Sequence, residues 1–370
     1  MEQKRLQSLD FFRGFTIAGM ILVNNPGSWG NVYPPLLHAS WNGWTPTDLI
    51  FPFFLFIVGV SIVLALSGKK ERGEINKEVY IKVIRRTLIL FGLGLFLAAF
   101  PFFNFSTLRI PGVLQRIAVC YFIATLIFLQ SSLKTQIIWT AAFLAVYWAL
   151  MEFVPVPEIG AGLYERGANF SNYIDGLILN GHMWSQTKTW DPEGIISTLP
   201  AISTALFGVL TGHLIRSKKS ETEKVAQMLI WGNIAIAVGM AWHHWMPINK
   251  SLWTSSYSVF MAGMAMVCLG ISYYLIDVKG WQKGIKPFIV YGMNAITVFV
   301  LSGLVAKLMY LITWTKADGT ETSVKGWIYE SFFASWLSPI NASLAFALGF
   351  VFVSYLAMLY MYKKKIFLKV

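Results

Sequence analysis

The stretch His38-Ala-Ser-Trp-Asn-Gly-Trp-Thr-Pro-Thr-Asp48 sets an imidazole and a carboxylate on either side of a tight Trp-Asn-Gly-Trp turn. If that turn closes, the carboxylate orients the imidazole and steadies its charged form, which makes a general base. The same residues also have a plain structural use. Pro46 suits the first turn of a helix and Thr45 its N-cap. Asp48 falls in that first turn, where a negative charge favours the positive helix end. Both readings of His38 and Asp48 stand on the residues alone.

A second polar block, Arg109-Ile-Pro-Gly-Val-Leu-Gln-Arg116, opens an apolar segment. Pro111 breaks the backbone, and Gln115 and Arg116 then fall about one turn inside. A guanidinium at that depth needs an anion, a carboxylate or carbonyl dipoles. A structural partner and a ligand phosphate are equally open. Other polar residues are dispersed: Trp190-Asp-Pro-Glu-Gly194, Asn249-Lys-Ser-Leu-Trp253, and Asn294 within an apolar run. Asp191 and Glu193 are helix-start residues by default. Asp10 and Arg13 share a helical face and read as a local ion pair. His243 and His244 point in different directions on a helix and read as interfacial. Cys120 and Cys268 sit in apolar segments and read as core thiols. No CxxC or HExxH spacing occurs, so no metal site is expected.

These groups have to be carried by elements that live in lipid. The 370 residues are 56% hydrophobic and only 13% charged, where a soluble domain carries about a quarter. The fold class expected is an all-α polytopic membrane protein of about ten transmembrane helices, with 1–370 as a single domain. The spans are placed near 9–26, 47–67, 80–101, 112–131, 135–155, 194–215, 224–243, 254–276, 286–312 and 338–362. The first follows Lys4 and Arg5 and leads directly towards the second, so it reads as a retained span and not as a cleaved signal.

Charge then orients the bundle. With the N-terminus inside, the inner segments hold Lys69, Lys70, Arg72, Lys82, Arg85, Arg86, Arg216, Lys218, Lys219 and Lys363 to Lys365, among others. The outer segments hold only Arg109, Arg166, Lys188, Lys250, Lys316 and Lys325. Both termini are therefore expected in the cytoplasm. The net charge of +12 becomes an orientation signal, which removes nucleic acid as a partner. Two longer outer loops, 27–46 and 156–193, are rich in Trp, Tyr, Asn, Gly and Pro, and are expected to fold against the bundle mouth. Trp29, Trp41, Trp44, Trp184 and Trp190 suit a membrane-interface belt and a sugar site equally well.

Taken together and in order, these blocks resemble the heparan-α-glucosaminide N-acetyltransferase family, part of a wider group of transmembrane acyltransferases. The likeness is carried by Arg5-Leu-Gln-Ser-Leu-Asp-Phe-Phe-Arg-Gly14, Val23-Asn24, His38-Ala-Ser-Trp-Asn-Gly43 and Asp48 to Gly59. It continues through Arg109 to Arg116, Asp191-Pro-Glu-Gly194, Leu252-Trp253 and Gly292-Met-Asn294. The resemblance implies transfer of an acetyl group from cytosolic acetyl-CoA to the amine of a terminal glucosamine or related amino sugar across the membrane. By the same resemblance His38 matches the catalytic histidine, and Asn24 and Asp48 match polar residues beside the donor. Asp48 is expected to act with His38. Asn42, Arg109, Gln115, Arg116, Trp253 and Asn294 join Asn24 on the donor side. Trp41, Asp191 and Glu193 are assigned to the acceptor. The expected setting is a homodimer among membrane lipids in a bacterial inner membrane. The sequence departs from the lysosomal member in lacking a long N-terminal luminal extension and that member's first span. The chemical core is kept, and the acceptor need not be heparan sulfate, the family's glycosaminoglycan.

Two other classes compete. A transporter or flippase of a sugar or lipid-linked sugar also has many spans and buried charge, but it more often shows inverted repeats with matching broken helices. No such symmetry is visible. A structural scaffold has no need of Asn24, Arg116 and Asn294 within spans.

Overall fold

The computed structural model describes residues 6–368. Helices form at all ten expected positions: α1 (Gln7–Asn24), α2 (Ile50–Glu71), α3 (Lys77–Ala99), α4 (Val113–Gln130) and α5 (Leu133–Phe153). After a short amphipathic α6 (Phe170–Ile178) come α7 (Thr198–Arg216), α8 (Glu221–Trp242) and α9 (Ser255–Tyr273). The chain ends with α10 (Lys286–Met293), α11 (Ala295–Leu311), a hairpin of β1 (Thr313–Thr315) and β2 (Glu321–Ser323), α12 (Val324–Tyr329) and α13 (Pro339–Lys363).

Capping residues set many of these boundaries. Asn76, Ser132, Asn169, Ser220, Thr254 and Ser323 each accept a backbone N–H from the first turn that follows, which satisfies a donor the helix itself cannot. Among the described residues, seven helices are long and apolar enough to cross a membrane. An eighth span is reached if α10 and α11 count as one. The uninterrupted span expected over 286–312 is in fact bent by 85° at Asn294. Helices α1 and α3 fall short because Asp10 and Arg13 dilute the first, and Lys82, Arg85 and Arg86 the second. The protein is a multi-pass integral membrane protein with an all-α architecture.

The described chain divides into two compact units. The first comprises residues 6–38, 45–50 and 275–368 and packs α1 against α10 and α13. The second comprises 39–44 and 51–274; α8 packs along α9, α3 along α4, and α7 against α4, α5 and α9. Within the second unit α2 and α7 cross backbone to backbone. A Cβ on Gly59 would stand 1.8 Å from the Ala205 carbonyl oxygen, and one on Gly208 would stand 2.0 Å from that of Phe56. Only glycine permits that approach.

Candidate active site

In the first unit the turn between His38 and Asp48 closes. His38 Nδ1 lies 2.6 Å from Asp48 Oδ1. The Asp48 carboxylate is fully buried, while the His38 side chain is 48% exposed. Asp48 Oδ2 accepts the backbone N–H of Thr45 at 2.9 Å and the Thr45 hydroxyl at 3.1 Å. This is a capping box around the 3-10 turn Pro46–Leu49 that leads into α2. One carboxylate therefore does both jobs the sequence left open, one oxygen to each. A carboxylate only accepts, so Nδ1 carries the proton and Nε2 is left as the basic nitrogen. The segment bearing His38 is held from the same turn. Thr45 Oγ1 donates to the Leu37 carbonyl at 2.6 Å, and Thr47 Oγ1 to that of Pro35 at 3.1 Å.

Two further expected residues belong to this unit. Asn24 is the last residue of α1 and is exposed. Asn294 is buried at the bend between α10 and α11. Its Nδ2 donates to the Ile366 carbonyl at 3.1 Å and its Oδ1 accepts the Leu368 N–H at 3.3 Å. The Asn294 amide thus holds the backbone of residues 366–368. Asp10 and Arg13 form the expected local pair at 3.2 Å.

The second unit gathers the Arg109 block and the Asp191 block into one network. Arg109 spans Asp191, at 2.8 Å and 2.6 Å, and Glu193, at 2.5 Å. Burial alone would lower the Arg109 guanidinium, but the hydrogen bond and charge of Asp191 and the charge of Glu193 hold it above its ordinary value. Arg116 is buried and takes the carbonyl-dipole solution. It donates to Pro192 O at 3.0 Å, Gly194 O at 2.9 Å and Ser197 Oγ at 2.5 Å, and lies over the Trp253 ring. Asp191 and Glu193 are thus brought together on Arg109.

Asp175 completes this network and was not singled out from the sequence. It is fully buried on α6. Its Oδ1 accepts Ile195 N–H at 2.9 Å and its Oδ2 accepts Asp191 N–H at 3.4 Å. Gly194 makes room for it, since a Cβ there would fall 2.0 Å from Asp175 Oδ2. Burial pushes the Asp175 carboxyl up to about 6, against the pull of those backbone donors and of Arg116. The legible signal is Asn169, Asn172 and Asp175 at intervals of three on one helical face, all buried.

The remaining expected residues are also held by the protein. Trp253 is buried with φ +47. Its Nε1 donates to Thr204 Oγ1 at 3.1 Å, and its ring meets Phe51 and Tyr257 edge-on. Gln115 packs its amide against Gly94 and Gly112. Asn42 Oδ1 accepts Asn249 Nδ2 at 3.1 Å. Trp41 Nε1 donates to the Tyr164 carbonyl at 2.8 Å, its ring meets Trp190 edge-on, and Arg166 lies over it. Among the described residues no group of three His, Cys, Asp or Glu side chains is arranged to hold a metal ion.

Residues 5–246 match the family model described as heparan-α-glucosaminide N-acetyltransferase, catalytic. That stretch contains His38, Asp48 and the whole Arg109–Asp191 network, and ends before Trp253 and Asn294. The mouse protein named heparan-α-glucosaminide N-acetyltransferase is 29% identical over 420 aligned positions, covering 99% of this chain and 60% of that protein. The human protein of the same name is 31% identical over 350 positions, covering 80% of this chain and 52% of that one. The chain spans between half and two thirds of the length of these relatives. On the match of its residues 5–246, the chain belongs to the heparan-α-glucosaminide N-acetyltransferase family.

Proposed function

We propose that the protein is a transmembrane N-acetyltransferase that moves acetyl from cytosolic acetyl-CoA to the amine of an amino sugar on the opposite side of the membrane. The single observation that carries the reading is the His38–Asp48 pair, a half-exposed imidazole fixed at 2.6 Å by a buried carboxylate. The family and the named N-acetyltransferase relatives support the reaction class.

In this reading the acceptor nitrogen attacks the thioester carbonyl carbon, and His38 Nε2 takes the proton that the amine loses. Asp48 stabilises the imidazolium that forms. The C–S bond breaks, the acetyl group stays on nitrogen, and the CoA sulfur leaves with the proton returned by His38. Asn24, in the same unit, is proposed to donate to the developing oxyanion. Arg85 and Arg86, on the basic side, are proposed for the phosphates of CoA by charge. A two-step route through an acetyl-imidazole at His38 uses the same residues.

Transport by a broken span is the rival with a specific observation behind it, the 85° bend at Asn294. The Asn294 side chain, however, is engaged by the C-terminal tail. The discriminating experiment is CoA release from acetyl-CoA by the purified protein, with and without glucosamine. Amine-dependent release with matching N-acetyl product is expected. No release with any amino sugar, together with solute uptake into proteoliposomes, would overturn the proposal.

A further inference from the structure

The geometry points to a phosphate seat on the basic side of the second unit, formed by Lys82, Arg86 and Tyr121 and filled by the headgroup of an anionic phospholipid. This inference stands apart from the acetyl transfer proposed at His38 and does not depend on it.

The first observation is unmatched charge. Between Glu78 and Glu152 the sequence has no acidic residue, so α3 beyond its first turn and the whole of α4 carry no carboxylate. Glu71 and Glu74, on the same basic side, are taken by Arg216 and Arg72. Among the described residues no carboxylate pairs with Lys82, Arg85 or Arg86.

The second observation is a guanidinium that the protein leaves unsatisfied. Arg86 is half-buried, and its Nε is shut off from solvent without an acceptor. The guanidinium lies over the Tyr121 ring, 4.8 Å from its centroid. Tyr121 is only 8% exposed, and neither its hydroxyl nor any N–H of Arg86 has a hydrogen-bond partner among the described residues. Arg109 and Arg116, by contrast, find carboxylates and carbonyls within the protein. A guanidinium stacked on a ring keeps its N–H edge free for two oxygens of one phosphate. Lys82, one turn before Arg86 on the same helical face, adds a second charge.

The third observation is depth and direction. From Thr87 to the end of α3 at Ala99 the helix climbs about 20 Å, short of the roughly 30 Å of bilayer hydrocarbon. Helix α3 packs along the span α4. The turn holding Lys82 and Arg86 therefore stands at the headgroup level of one leaflet, where lipid phosphate is the anion at hand. Ile81, Ile84, Leu88 and Ile89 are exposed on the same helix. Arg86 falls at the margin between that apolar face and the buried Val79, Val83 and Leu90. The seat thus opens towards lipid. The phosphates of CoA share this chemistry and suit these arginines by charge, and the lipid-facing position is what favours the headgroup.

The test is native mass spectrometry of the purified full chain in a neutral detergent, titrated with phosphatidylglycerol, phosphatidylcholine or CoA. Wild type is expected to retain phosphatidylglycerol about tenfold more tightly than phosphatidylcholine. Arg86→Gln should remove that preference, since a charge-assisted hydrogen bond is worth roughly tenfold in affinity or more. Lys82→Gln and Tyr121→Phe should each weaken it, while phosphatidylcholine retention stays unchanged in all three. Melting temperatures show which variants fold, and the Lys82 and Tyr121 variants decide if Arg86→Gln does not. Equal retention of the two lipids by wild type, or an unchanged preference in every folded variant, would overturn the inference. Displacement of phosphatidylglycerol by CoA, with CoA binding lost in Arg86→Gln, would give the seat to the nucleotide and also overturn it. Phosphatidylglycerol retained in excess CoA sustains it. If the protein binds no CoA at all, the acetyl-transfer reading fails and the two lipid titrations decide this inference alone.

Discussion

Asp48 divides its carboxylate between two neighbours: Oδ1 meets His38 Nδ1 at 2.6 Å, and Oδ2 meets the Thr45 backbone N–H at 2.9 Å. The helix cap and the base-orienting contact are therefore the same group. The capping bonds fix where the carboxylate stands, and the carboxylate fixes the imidazole.

That division makes the two roles separable. Asp48→Asn keeps an acceptor for the Thr45 N–H but loses the anion beside His38. It is expected to lower kcat by about 10²–10⁴-fold, the usual weight of a general base. Thr45→Ala removes a side chain from the cap while leaving Asp48 beside His38. It should cost about 1 kcal/mol of stability and depress kcat far less. Steady-state kinetics and thermal unfolding of both variants check this. Equal loss of folded protein and of rate in both would make Asp48 a capping residue alone.

Arg109→Ala leaves Asp191, whose side chain is fully buried, and Glu193 without their shared cation. Breaking such a buried pair costs roughly 3–5 kcal/mol, so a large fall in melting temperature and in yield of folded protein is expected. Arg109→Lys should rescue little, because a single ammonium cannot span both carboxylates. Thermal melts in detergent measure it.

Asp175 should give stability a recognisable pH slope. Its carboxyl is raised from 3.8 to about 6 in the folded protein. Between those values the folded state holds a proton that the unfolded state has released. This contribution to stability is therefore fully present below the unfolded value, falls as pH rises from about 4, and is gone above about 6. Asp175→Asn should flatten the dependence of melting temperature on pH in that window. An unchanged slope would place the titration elsewhere.

The crossing of α2 and α7 depends on two glycines. Gly208→Ala would drive a Cβ to 2.0 Å from the Phe56 carbonyl oxygen. Overpacking of this kind costs roughly 1–3 kcal/mol or more, and the loss should show as a lower melting temperature. Gly43→Ala, with nothing within 4 Å but φ +93, should act through backbone strain alone and cost about 1 kcal/mol.

The helices were legible because apolar runs bounded by Asn, Ser and Thr caps obey local rules. Each of the ten positions is helical, with ends shifted by a few residues. The bend at Asn294 was not legible, because the run over 286–312 stays apolar through it. The His38–Asp48 contact could be read because both partners lie within ten residues and a turn separates them. The fate of Arg109 and Arg116 could not, since their partners lie 82 and 76 residues further on. Residue type announced that these guanidiniums need an acceptor, and tertiary packing supplied one from the protein itself. Asp175 was missed for the same reason. Its backbone donors, Asp191 and Ile195, lie 16 and 20 residues further on.

The most direct test of the central claim is kcat/KM for acetyl transfer from labelled acetyl-CoA to an amino sugar by His38→Ala. The readout is normalised to folded protein and to measured acetyl-CoA binding. The account predicts a loss of about 10²–10⁴-fold with folding and donor binding kept. Near-normal acetylation by that variant would contradict the assignment of His38.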